Sequence, residues 1–172
     1  MLSQKLQDAL NAQVNAEMWS AYLYLSMSVD ASLKGYKGMA NWFAIQFREE
    51  QDHAQILINY LLSRNCAVKL APIAEVKTSW KSPLAAFEDT LTHEKKVTAM
   101  IDNLCRIAAE EQDFATANML RWFVDEQIEE EENAQDIIDS LEKVDDSKLG
   151  LYMIDKELAQ RVYSAPAPLT KE

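Results

Sequence analysis

Only three glycines and four prolines interrupt these 172 residues, too few for the turns of a many-stranded sheet. Ala, Leu, Ile, Met, Glu, Gln and Lys dominate instead, the composition of long helices. Cysteine is scarce as well. Cys66 and Cys105 form neither a disulfide framework nor a Cys-x-x-Cys metal or redox pair, so both are expected to be ordinary thiols in a reducing compartment. No apolar run reaches the roughly 20 residues of a membrane span. The start, Met1-Leu2-Ser3-Gln4-Lys5, lacks the basic and apolar blocks of a signal peptide, and the expectation is a cytoplasmic protein with no membrane partner. Basic residues are in deficit, with 17 Lys and Arg against 28 Asp and Glu and a formal charge of -11. That balance argues against a nucleic-acid partner and suits the handling of cations.

What is present is a set of apolar seams stepping by three and four residues, the mark of amphipathic helices. The first, over residues 3–33, follows Leu6, Leu10, Val14, Glu17, Ala21, Tyr24 and Ser28, with Ser3 as N-cap and Gly35 and Gly38 suited to a short turn. The second, over 38–64, follows Met39, Phe43, Gln46, Glu50, His53, Leu57 and Tyr60. Ser82-Pro83 opens the third, 83–110, along Leu84, Phe87, Leu91, Glu94, Val97, Ile101 and Cys105. The fourth, 113–143, runs through Leu120, Val124, Gln127, Glu130, Ala134, Ile137 and Leu141. Between the second and third, residues 65–81 carry Pro72 and no helical period. At about 3.3 Å per residue that stretch reaches roughly 50 Å, enough to run the length of a helix and leave its neighbours parallel. The expected fold is all-α: a four-helix bundle over 1–144 with one long crossover, a short fifth helix within 145–163, and a frayed tail, 164–172. The fifth helix has an apolar face that a neighbouring subunit would cover.

Each seam is broken near its middle by polar residues, and mid-helix positions in such a bundle share one level. Glu17, Glu50, His53, Glu94, Gln127 and Glu130 should therefore converge. Four carboxylates in a dry interior repel one another and have raised pKa values unless cations join them. Two divalent ions would balance their four charges with His53 neutral. Oxygen ligands with one imidazole suit Fe(II) or Mn(II) better than Cu(I) or structural zinc. Of the other candidates, His93 adjoins Glu94 and so should face away from its seam to the surface. Glu131 and Glu132 are expected to be solvated, and Cys105 to fill core.

Taken together, Glu17, Tyr24, Glu49-Glu50 with His53, Glu94, the run Trp122 to Glu130, and Gly150-Leu151-Tyr152-Met153-Ile154-Asp155-Lys156-Glu157-Leu158 resemble the bacterial non-haem ferritins, over the whole chain. The resemblance implies a ferritin-like di-iron bundle that oxidises Fe(II) with dioxygen or hydrogen peroxide. It implies one iron on Glu17, Glu50 and His53, and a second on Glu50, Glu94 and Glu130, with Glu50 bridging. Gln127 would orient ligands or bound oxygen. Glu49, Glu126 and Glu129, sharing Glu130, would form a third iron site on the cavity side. Tyr24 matches the family tyrosine beside the centre, with plain packing as its other reading, and Trp122 reads as packing before electron donation. The family further implies a homo-oligomeric shell of 24 subunits around a ferric mineral, with the fifth helix at the four-fold axes.

Two departures narrow this. Where bacterioferritins carry a second Glu-x-x-His, this chain has Gln127-Ile128-Glu129-Glu130, and Asp52 stands where their haem methionine precedes the histidine, so no haem is expected. The acids that line three-fold channels in animal ferritins are replaced by Phe114, Ala117, Asn118 and Leu120. Two other functions remain open from the residues alone: a di-iron oxygenase or peroxidase, and a cytokine-like bundle or assembly module whose buried polar residues specify pairing.

Overall fold

The computed structural model describes residues 2–170; Met1, Lys171 and Glu172, which fall in the first and last expected segments, lie outside the described residues. Six helices and no strand occur among them: α1 (Gln4–Leu33), α2 (Lys37–Ser63), α3 (Pro83–Glu110), α4 (Phe114–Val144), α5 (Lys148–Leu158) and α6 (Ala167–Thr170). Their starts follow side-chain chemistry. Ser3, Ser82, Asp113 and Ser147 each accept a hydrogen bond from a first-turn N–H, which satisfies donors that have no partner inside the helix. The start of α2 has no such cap from Tyr36. Asp155 of α5 supplies it from a distance, accepting from the Met39 N–H at 2.9 Å and placing a carboxylate at the positive end of the helix.

α1 lies against α2 and α3 against α4, while α1 also meets α3. The ends fix the directions. Ser3 meets Glu111, and Arg64 meets Asp113, so α2 and α3 run the same way and α1 and α4 the other. The chain between α2 and α3 must then climb the whole bundle as irregular backbone, whose carbonyls need donors. A stripe on α1 at near four-residue spacing provides them: Asn11 donates to the Ala67 carbonyl, Asn15 to Ala71 and Pro72, Trp19 to Glu75, and Ser26 to Lys77. Further along, Lys34 donates to the Trp80 carbonyl, and buried Asp30 accepts from the Trp80 N–H at 3.2 Å. Val76 and Trp80 of the crossover are buried.

The interior is two apolar cores separated by a polar waist. One gathers Leu6, Leu10, Leu57, Leu61, Ile101, Leu104 and Phe123. The other gathers Tyr24, Met27, Phe43, Trp42, Phe87 and Leu141, where the Phe43 and Phe87 rings stack with centroids 4.8 Å apart. The expected lines of α3 and α4 hold at Phe87, Glu94, Val97, Ile101, Leu120, Gln127, Glu130, Ala134 and Leu141, all buried, and miss by one residue at Cys105, Val124 and Ile137. Leu104, Phe123 and Ile138 are buried, whereas Cys105 and Ile137 are half-buried and Val124 is exposed. A period of 3.6 residues lies between steps of three and four, so the wrong choice of step at one place lands one residue beside the buried line and the next step returns to it.

Two further expectations need correction. Gly35, at φ +86°, makes the α1–α2 turn, but Gly38 lies within α2. Gly38 is there because α5 crosses its backbone: a Cβ would be driven into the Asp155 carbonyl and crowd the Ala159 nitrogen at 2.9 Å. Gly38→Ala should therefore lift α5 off α2 and cost about 2 kcal/mol or more of stability, as overpacking does. Thermal unfolding checks this, and an unchanged midpoint would contradict the contact. The tail expected to fray from 164 instead returns over α2, forms α6, and packs Leu169 against the core of Leu6, Leu10 and Leu57. Leu169, Pro166 and Pro168 are half-buried against the chain, while Ala165 and Ala167 stay exposed. No described helix is long and apolar enough to cross a membrane.

Candidate metal centre

The waist is built from one level of four helices. Glu17 and Glu94 are each 1% exposed, Glu50 1%, His53 2%, Gln127 3% and Glu130 4%. Glu50 and His53 lie three residues apart on one face of α2, which brings His53 Nδ1 to 3.5 Å from Glu50 Oε2 and 3.9 Å from Glu17 Oε2. The ligand atoms of Glu17, Glu50 and His53 fall within 4.8 Å of one another, as do those of His53, Glu126 and Glu130. Glu94 joins the set through α3: the Tyr24 hydroxyl donates to its Oε1 and Gln127 Nε2 donates to its Oε2 at 3.2 Å.

Gln13 and Gln46, buried on α1 and α2, complete the surround. Gln13 Nε2 donates to Glu17 Oε1 and Gln46 Nε2 to Glu130 Oε2, each at 2.8 Å. Neither was singled out by the seam argument for a role toward the acids, although Gln13 stands one turn before Glu17 and that spacing is a visible signal. After these bonds, Glu17 Oε2 and Glu50 Oε2 still have no hydrogen-bond partner. Buried carboxylate oxygens without partners cost more than almost any other polar defect, unless a cation lies between them.

The electrostatics agree. Burial, then repulsion from Glu94, Glu17 and Glu130, holds the Glu50 carboxyl well above the ordinary carboxylate range. Burial pushes Glu94 up to about 7, against the lowering effect of the Tyr24 and Gln127 bonds. Glu130 is pushed up to about 8, by burial first and by Glu94 second. Such a set is poised to exchange protons for metal cations near neutral pH. Losing the donor to Glu94 should be costly in its own right. Tyr24→Phe is expected to lower the stability of the metal-free protein by about 1–3 kcal/mol. Denaturant titration checks this, and no change would reduce Tyr24 to packing.

Toward the open side of the waist, Glu49 and Glu126 are half-buried and Glu129 is exposed. Burial raises the Glu49 carboxyl, opposed by Arg161, and burial also raises Glu126. Glu49 is paired to Arg161 at 2.7 Å, a partner the seams do not disclose. Trp122 stands edge-on to His53 with centroids 5.4 Å apart. His93 is not on the surface as expected. It is half-buried beside Trp19 and Tyr24, with Nε2 2.7 Å from the Ser20 hydroxyl, and burial brings its pKa down to about 4. Glu131 is likewise half-buried and accepts from Thr98 at 2.6 Å. Both corrections have one cause: a long helix in a tight bundle covers the flanks of its seam as well as the seam.

The ferritin-like domain family matches residues 7–144. The chain is 44% identical over 161 residues to a bacterial non-heme ferritin of Bacteroides fragilis (strain 638R), spanning 94% of this chain and 100% of the relative. It is 37% identical over 163 residues to a bacterial non-heme ferritin of Staphylococcus aureus (strain USA300), spanning 95% and 98%. The fold is similar to that of an open-pore ferritin from Archaeoglobus fulgidus, with a TM-score of 0.93 at 44% identity over 94% of this chain and 100% of that one.

Proposed function

This chain belongs to the ferritin family, and from that premise we propose that it is a ferroxidase, oxidising Fe(II) in pairs at the waist and storing the ferric product. Glu17, Glu50 and His53 hold one Fe(II), and Glu50, Glu94 and Glu130 the other, with Glu50 shared. The observation that carries this reading is the pair of unpartnered buried oxygens on Glu17 and Glu50, 3.9 and 3.5 Å from His53 Nδ1. Four carboxylates balance two Fe(II), so the loaded waist is neutral, and the protons held there when it is empty leave as iron enters.

Each pair of Fe(II) gives up two electrons. These reduce dioxygen to hydrogen peroxide, or hydrogen peroxide to two waters, with protons drawn from the medium. Fe(III) then binds hydroxide from water and releases protons, which lowers its charge and its hold on the carboxylates. Gln127, held against Glu94 and the Thr98 hydroxyl, keeps the Glu94 carboxylate aimed inward, and Tyr24 does so from the other side. Glu49, Glu126 and Glu129, with Glu130, receive iron beyond the pair. The protein works in the cytoplasm as a shell of 24 copies, a reading supported by the exposed Leu149, Tyr152 and Met153 of α5, which another copy would cover.

Native mass and iron content of iron-loaded protein test this together. A mass near that of 24 chains of 19.6 kDa, with far more than three irons per chain, is expected. A dimer holding two metals per chain would overturn storage in favour of an oxygenase.

A further inference from the structure

After α5 the chain turns back and runs along α2 toward the waist, fastened at several points. Asn41 Nδ2 donates to the Arg161 carbonyl at 3.0 Å, and the Arg161 guanidinium donates to the Trp42 carbonyl and lies 4.6 Å from the Trp42 ring centroid. Its other nitrogen donates to Glu49 Oε2 at 2.7 Å. The Tyr163 hydroxyl donates to Asp52 at 2.7 Å, with the Arg48 guanidinium 4.0 Å from the Tyr163 ring centroid. Leu169 anchors the far end against the core of Leu6, Leu10 and Leu57.

Between these anchors, Ser164 to Ala167 roof a cavity of about 220 Å³ whose other walls are Glu49, His53, Trp122, Glu126 and Glu129. His53 is the common wall of this cavity and the waist, since it belongs to both groups of converging ligand atoms. The cavity thus adjoins the waist across the His53 side chain, and a stretch of the chain lies over it. One of its acids is already neutralised, by an arginine that the strap itself supplies.

We propose that residues 161–170 form a strap that governs cation traffic through this cavity, with the Arg161 guanidinium competing with a metal ion for Glu49. A metal ion at Glu49 would stand within a few ångströms of the Arg161 guanidinium, which repels it and draws on the same carboxylate charge. Iron lodges at Glu49 only when Arg161 releases it, and the returning guanidinium weakens the hold of the acids on that iron. The cavity is thus a place of passage and not of retention. This inference rests on the reading of the waist as a pair of iron sites, and its test separates the two.

Anaerobic calorimetric titration of the assembled, metal-free protein with Fe(II) gives the measurement. Arg161→Gln should tighten the binding step beyond the waist pair by about tenfold, the effect of removing one competing charge at this range. Arg161→Lys, which keeps the charge, should stay near the unaltered protein, and adding Glu49→Gln to Arg161→Gln should abolish the gain. Tyr163→Phe loosens the strap while leaving Arg161 in place, and should tighten the same step to a smaller degree. If Arg161→Gln does not assemble, Tyr163→Phe carries the test alone. Waist binding intact with no gain in either variant would overturn the strap and leave the proposed function standing. Absence of Fe(II) binding at the waist in every protein, the unaltered one included, would overturn both.

Discussion

Glu50→Gln is expected to make the metal-free protein more stable and the iron-loaded protein nearly inactive. Glu50 is the acid most surrounded by its own kind, raised by burial and then by Glu94, Glu17 and Glu130. Its Oε2 is one of the unpartnered buried oxygens. An amide of the same volume is neutral in both states and so removes the cost of keeping this acid protonated at a pH where the unfolded chain ionises it, and the midpoint of unfolding should rise at pH 8. The same change takes away the carboxylate that faces both proposed iron positions. Rapid Fe(II) oxidation, followed by stopped-flow absorbance, should then fall by about a hundredfold or more, equivalent to roughly 3 kcal/mol of barrier. Opposite signs on stability and activity distinguish a functional acid from a structural one. A variant that loses stability and keeps its oxidation rate would remove Glu50 from the centre.

The second large effect is on pH. Glu94 and Glu130 are ordinarily protonated only below about 4.5, but in the folded chain they hold their protons to about 7 and about 8. Between those limits the folded protein binds protons that the unfolded chain has released, so stability is complete below about 4.5 and is lost as pH rises through 7 and 8. The acids interact, and their joint effect is on the order of a few kcal/mol. Buried His93, held down to about 4, acts in the opposite sense below about 6.5, so thermal unfolding of metal-free protein should show its clearest fall in midpoint from pH 6.5 to pH 9. A redox-inert divalent ion such as Zn(II) should restore it, and most strongly at the alkaline end. The double variant Glu94→Gln with Glu130→Gln should make the fall shallower, leaving the part that Glu50 carries. Surface acids held low by cations, such as Asp8 and Glu110, titrate below this window and do not confuse it. A midpoint flat across the range in the unaltered chain would mean that the waist acids are not destabilising partners.

The waist was legible in the sequence because a charged residue breaks an apolar period visibly, and four breaks at mid-helix can meet in only one place. The parallel course of α2 and α3 was legible for a similar reason, since residues 65–81 are long enough to climb a helix. What holds that crossover was not legible. The donors on α1, from Asn11 to Lys34, bond to backbone carbonyls, and a carbonyl leaves no trace in residue identity. Asp30 was hidden in the same way, since its partners include the Trp80 N–H. His93 was misplaced because adjacency to a seam residue says little where Trp19 and Tyr24 close over the flank. Gln13 and Gln46 read as neutral helix formers until the oxygens they serve are located. Arg161 was beyond reach of any period, because a chain that turns back after its last long helix carries no repeat to follow.

All of this turns on whether the carboxylates of four helices close around two metal ions. Crystals exposed to Fe(II) without oxygen, with anomalous diffraction measured on both sides of the iron absorption edge, test that most directly. Two peaks are predicted, one among Glu17, Glu50 and His53 and one among Glu50, Glu94 and Glu130. Iron bound elsewhere in the crystal, with no peak between those side chains, would contradict the account.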